Sequence, residues 1–267
     1  MISGFESLEP ATLVLIIVAG FAAGWIDAVV GGGGLIQLPA LLLVPGITPV
    51  QALATNKMGS IFGTTTSAVT YYRRVRPDLR TAIPMAVIAL AGSFGGAVLA
   101  ATLPASVFKP IIVAALVAVA LFTAFKPNVG DLTSLRHDGR THYVVACIIG
   151  AAIGFYDGLI GPGTGSFLII ALVSAMGYAF LEASAKAKIV NMATNAGALI
   201  FFLPHGSLLW GVGLVLGLAN MAGGYLGART AVKQGSTFIR NVFLAVVGAL
   251  ILKLGYDIWQ DTLRPGN

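Results

Sequence analysis

Asp27, Lys57, Asp157 and Lys188 lie inside long apolar runs and recur along the chain in the order Asp, Lys, Asp, Lys. An ionised side chain is costly in hydrocarbon, so each must face a cavity, a water path or a partner. The carboxylates suit two roles, a proton carrier or a brace that accepts N–H bonds from the glycine turn that follows. The lysines have polar company at helical spacing. Lys57, Ser60 and Thr64 fall on one stripe at i, i+3 and i+7, and so do Lys188, Asn191 and Asn195. Thr55, Asn56 and Thr194 adjoin these stripes. Each half thus offers an ammonium backed by hydrogen-bonding groups. The other reading is snorkelling to the membrane interface, more open to Lys188 than to Lys57 and open also to Lys186.

After each aspartate comes a glycine-rich turn, Gly31-Gly32-Gly33-Gly34 and Gly161-Pro162-Gly163-Thr164-Gly165. Glycine adopts positive φ and lets the backbone approach a ligand. A helix that starts there aims its free amides and positive dipole end at the site, which favours an anion. Gly32, Gly33, Gly34, Gly163 and Gly165 therefore join Thr55, Asn56, Lys57, Ser60, Thr64, Lys188, Asn191 and Asn195 as candidate substrate contacts. Close helix packing through small residues is the competing explanation of the glycines. No strand precedes them, which argues against a dinucleotide fingerprint. No paired-histidine metal motif is present, and Cys147 is the single cysteine, so no metal, disulfide or cofactor is expected. Neither a nucleophile elbow nor another catalytic constellation is visible, and the chain is read as a non-enzyme.

The elements that hold these residues are apolar. Of 267 residues, 57% are hydrophobic and 10% charged, against about 25% charged in an average soluble domain. Ten apolar stretches are legible: 11–30, 34–44, 50–72, 80–101, 106–125, 142–160, 165–177, 183–203, 207–228 and 238–258. Eight are long enough to cross about 30 Å of hydrocarbon as helices. The stretches 34–44 and 165–177 reach only half-way and read as broken helices. The expected fold is all-α, a polytopic helical membrane protein with a short broken helix after the glycine-rich turn in each half.

The halves repeat. Gly24 to Gly33 matches Gly154 to Gly163 at an offset of 130, and Lys57 matches Lys188 at nearly the same offset. Corresponding short, glycine-interrupted segments point to a transporter's binding site. The chain reads as one membrane domain, 1–267, with repeats over 11–125 and 142–258 and a cytoplasmic linker over 126–141. The net charge of +6 does not imply nucleic acid, because the basic residues sit in short loops. Arg73, Arg74, Arg76 and Arg80, then Lys126, Arg136 and Arg140, then Arg229, Lys233 and Arg240 mark three loops as cytoplasmic. With five crossings per half these loops share one side and the repeats are inverted. Glu6 and Glu9 without a basic residue argue against a cleavable signal, leaving 11–30 as the first membrane segment.

The string Gly20-Phe21-Ala22-Ala23-Gly24-Trp25-Ile26-Asp27-Ala28-Val29-Val30-Gly31-Gly32-Gly33-Gly34-Leu35-Ile36, with Pro39 and Ala54-Thr55-Asn56-Lys57, resembles the TauE/SafE family of sulfite and organosulfonate exporters. The second copy, Gly154-Phe155-Tyr156-Asp157-Gly158-Leu159-Ile160-Gly161-Pro162-Gly163, carries the resemblance more weakly. It spans essentially the whole chain. It implies a multi-pass transporter of small sulfur-containing or related anions in a bacterial-type inner (plasma) membrane. The reading is thus export of such an anion by alternating access. Proton-coupled uptake of a sulfonate or carboxylate, and an intramembrane enzyme or assembly factor, are the alternatives. The expected partners are the anion and the lipid bilayer, with no nucleic acid and with homo-oligomerisation left open.

Overall fold

The computed structural model describes residues 9–104 and 132–263. Its helices are α1 (Pro10–Val30), α2 (Gly34–Leu42), α3 (Pro49–Val75), α4 (Leu79–Thr102), α5 (Gly139–Leu159), α6 (Thr164–Ser174), α7 (Phe180–Phe202) and α8 (Trp210–Leu263). No strand occurs among the described residues. The expected segment 106–125 and the first part of the 126–141 linker lie outside them. Local chemistry sets the helix ends. Thr48 and Gln51 close a capping box at the start of α3, with Pro49 in its first turn. Arg76 ends α3 in the left-handed region at φ 51°, and Asp78 then caps α4 by accepting from the amides of Arg80 and Thr81. In α8 the helix breaks at Gly235, φ 79°.

Among the described residues, α1, α4, α5 and the part of α8 from Trp210 to Ile239 have the length and apolarity of membrane spans. The apolar runs suggested more. The difference lies chiefly in α3 and α7, of 27 and 23 residues. They are long enough at about 1.5 Å per residue, but they carry the polar stripes and bury them inside the bundle. The two short helices have 9 and 11 residues, about 14 and 17 Å, half the hydrocarbon thickness.

Two seams of small residues hold the bundle. Gly20 and Gly24 of α1 meet Leu216 and Asn220 of α8, and Gly227 meets Trp25 and Ala28. Gly150, Gly154 and Gly158 of α5 meet Met85, Ala89 and Ser93 of α4. In both seams the contacts advance together along the two chains, so each pair runs parallel. A Cβ on Gly154 would sit 2.7 Å from the Ala89 Cα, and such close approach lets dispersion and backbone contacts tie helices where no hydrophobic effect operates. Between the seams, α3 packs on α7 and α8, and α7 packs on α3 and α4. Exchanging α1 with α5, α2 with α6, α3 with α7 and α4 with α8 maps each of the principal packed pairs onto another, while the minor contacts of α7 with α8 and of α1 with α6 and α7 have no such counterpart.

The basic segments collect at one end. Arg74, Arg229 and Lys233 line a common cavity. Lys186 Nζ donates to the Asp78 carbonyl at 2.8 Å, the Ser134 amide to Gly177, and the Leu181 amide to Ser236 Oγ. Lys186 is itself buried at this end, its ammonium reaching Asp78 and Glu182.

Candidate functional site

The last turn of α1 carries Asp27, and the last turn of α5 carries Asp157. The chain then reverses, at Gly31 (φ 83°) in the first half and at Gly161 (φ 90°) and Gly163 (φ 82°) in the second. These left-handed angles suit glycine because a side chain would meet the following carbonyl. The two turns touch. Ser166 donates its amide to the Gly31 carbonyl at 3.1 Å and its hydroxyl to the Val30 carbonyl at 2.8 Å. Tyr71 donates to the Ala28 carbonyl at 2.9 Å, and Tyr156 to the Pro162 carbonyl at 2.5 Å.

The four charged residues pair across the halves. Lys188 Nζ lies 2.8 Å from Asp27 Oδ2, and Lys57 Nζ lies 2.7 Å from Asp157 Oδ1. Both lysines are buried to within 1% of exposure. Each ammonium is thus neutralised by a carboxylate of the other half, a partner that helical spacing alone did not identify. Neutralising each charge locally is what makes such deep burial tolerable, and removing one partner of a buried pair costs about 3–5 kcal/mol. Asp27 Oδ1 also accepts the Gly33 amide at 3.4 Å, so this carboxylate spans its own glycine turn. Asp157 Oδ1 also accepts the Thr164 hydroxyl at 2.5 Å, while Asp157 Oδ2 is buried without a hydrogen-bond partner.

These groups line one small cavity. Asp27, Lys57, Asp157, Asn56, Ser60, Asn191 and Asn195 reach it, together with Gly31, Gly34, Gly161, Gly163, Thr164 and Gly165. Its free volume is about 20 Å³, room for about one water molecule. The N-termini of α2 and α6 both open onto this space through Gly34, Thr164 and Gly165. The positive ends of two helix dipoles thus lie beside the paired charges, with the Gly33, Leu35, Thr164 and Ser166 amides already bonded within and between the turns.

Not every expected residue is here. Thr55 accepts the Leu209 amide at 3.2 Å and steadies the start of α8. Thr64 bonds back to the Ser60 carbonyl and accepts from Asn195 Nδ2 at 3.4 Å, one layer behind the cavity. Gly32 and Gly33 shape the turn without lining the space. Lys188 acts through its partner Asp27. Gln37, fully buried, accepts from Ser60 at 2.8 Å and was missed. The signal was a lone amide in the apolar stretch 34–44. Ser166, which ties the two turns together, carried no comparable signal.

Comparison with known proteins finds the family described as "Sulfite exporter TauE/SafE" over residues 16–254. The chain is 40% identical to "Probable membrane transporter protein ORF9" of a Sinorhizobium species, over 92% of this chain and 93% of that one. It is 33% identical to a protein of Haemophilus influenzae named "Probable membrane transporter protein", over 92% and 95% of the two chains. It is 32% identical to "Probable membrane transporter protein YfcA" of Escherichia coli K12, over 95% and 94%. No solved structure matches.

Proposed function

Because this chain belongs to the sulfite exporter TauE/SafE family of membrane transporters, we propose that it exports a small anion, sulfite or an organosulfonate, by alternating access. The observation that carries this reading is the pair of helix N-termini that open onto a cavity whose charged side chains already cancel. An arriving oxyanion meets net positive potential, competes with Asp157 and Asp27 for the lysines, and takes Asn56, Ser60, Asn191 and Asn195 as further contacts. Parting the crossed pairs loosens one half from the other, which is the movement alternating access requires. The halves 11–125 and 142–258 are inverted repeats in this scheme, and the matching of the principal helix neighbours between the halves supports the repeat. The basic end faces the cytoplasm of a bacterial-type cell whose inner membrane holds the protein. Val75→Cys and Gln234→Cys, each in a Cys147→Ser background, should both label from that side.

An interior-negative potential of about 100 mV supplies roughly 2.3 kcal/mol per charge to a departing anion. Proteoliposomes loaded with sulfite or a sulfonate, given a potassium-diffusion potential and no pH gradient, should release the anion in step with the potential. One observation favours a second reading, proton-coupled uptake of a sulfonate or carboxylate. Asp157 Oδ2 is buried, unpartnered and beside Lys57, so protonation there would free that ammonium. Flux that follows an imposed proton gradient and ignores the potential would replace export by this reading.

A further inference from the structure

Away from the central site, α3 and the first part of α8 leave a groove between them at the basic end. Two adjoining cavities of about 390 and 400 Å³ lie along it and share Arg74 and Arg229. Arg73 and Tyr225 complete the first, and Lys233 completes the second. Among the described residues, no carboxylate lines either cavity and none of these four cations forms an ion pair. Arg229 is held in place, donating to Tyr225 Oη at 3.0 Å with its guanidinium 5.4 Å from that ring's centre.

The groove has two levels. Arg73 and Arg74 lie in the last turn of α3, at the end where the basic loops collect. Thr65, Thr66 and Val69 continue the same wall inward, reaching about 12 Å below the arginines at 1.5 Å per residue. Val69, which lines this lower part, stands exposed at 44%. A free anion in water would use the upper level alone. An amphiphile with an anionic head fits both levels, and arginine pairs bind phosphate oxygens bidentately.

We propose that this groove binds an anionic phospholipid, its phosphate on Arg74 and Arg229 and an acyl chain along Val69 and Thr66. The inference needs only that the chain spans a membrane, not the transport reading. Basic pockets between membrane helices at the cytoplasmic side are known to take such headgroups. Bound there, the lipid bridges α3, which carries Lys57, to α8.

The test is lipid titration of the purified full chain, read by native mass spectrometry, with phosphatidylglycerol and phosphatidylcholine of identical chains. Wild type should bind the first phosphatidylglycerol about 25-fold more tightly than phosphatidylcholine. Arg74→Gln/Arg229→Gln should lose that preference, since each basic residue near an anionic lipid is worth on the order of fivefold in affinity. Both arginines are exposed, so the variant should fold. Arg80→Gln/Arg140→Gln removes equal charge at the same end and should keep the preference. As an independent readout, phosphatidylglycerol in nanodiscs should raise the melting temperature of wild type and of the control variant only. Equal affinity for the two lipids in wild type overturns the proposal. So does a preference retained in the groove variant, or one lost equally in the control. One-for-one displacement of the lipid by millimolar inorganic phosphate or sulfite would assign the groove to a free anion instead.

Discussion

The two crossed ion pairs look alike in sequence and differ in how their carboxylates are held. Asp27 divides its oxygens, one on Lys188 and one on the Gly33 amide. Asp157 places Lys57 and Thr164 on the same oxygen and leaves the other buried and unpartnered. The cause is one position, Thr164 where the first half has Gly34. A hydroxyl reaches the carboxylate in the second half where a backbone amide does so in the first. The first pair is therefore built into the backbone of its turn. The second is held by side chains alone. Matching motifs do not make matching roles.

The largest effect should come from the turns. Gly31→Ala adds a Cβ at positive φ that would lie 2.5 Å from the Gly165 Cα. Neither backbone can yield, so no folded protein should be recovered from membranes. At Gly161 the added Cβ meets the flexible Lys57 Nζ at 2.9 Å. Gly161→Ala should fold, at about 1–2 kcal/mol of backbone strain, and lose anion affinity in a binding assay. Equal yields of the two variants would erase the asymmetry.

Next come the lysines. Lys57→Met and Lys188→Met should each cost about 3–5 kcal/mol in thermal or denaturant unfolding, because each strands a buried carboxylate. Adding Asp157→Asn to the first, or Asp27→Asn to the second, should recover most of it. Lys57→Arg should keep more substrate affinity than Lys57→Met, and unchanged affinity in a well-folded Lys57→Met protein would remove Lys57 from the site. Among the single aspartate variants, Asp27→Asn should lower the melting temperature more. Asp157→Asn should alter the pH dependence of flux more.

The smallest effect is the sharpest. Thr164→Gly makes the second turn resemble the first and should cost about 1.5–3 kcal/mol, the worth of one hydrogen bond to a charged group. If Asp157 then behaves as Asp27 does in both assays, Thr164 alone sets the difference between the pairs.

Most of the site's membership was legible in the chain. Asp27, Lys57, Asp157 and Lys188 stood out because an isolated charge in an apolar run needs a reason, and the repeat gave each a counterpart. The half-length helices were legible too, since α2 and α6 have too few residues to cross. Helical spacing placed Ser60, Asn191 and Asn195 on the right faces, and all three reach the cavity. It misplaced Thr55, because the one-residue step to Asn56 turns a helix by about 100° and aims Thr55 at α8.

What the sequence determined by itself was a set of periodic, local facts: an all-helical membrane chain, its duplicated motif, its breaks, and the types of residue that must be sheltered. Pairing was decided by the tertiary structure alone. Within one half, Asp27 and Lys57 look like natural partners, yet each finds its counterion in the other half. That choice depends on how α1, α3, α5 and α7 cross at the two glycine turns. Periodicity fixes which face a residue occupies along its own helix. Which foreign face lies opposite is set by packing between segments more than a hundred residues apart.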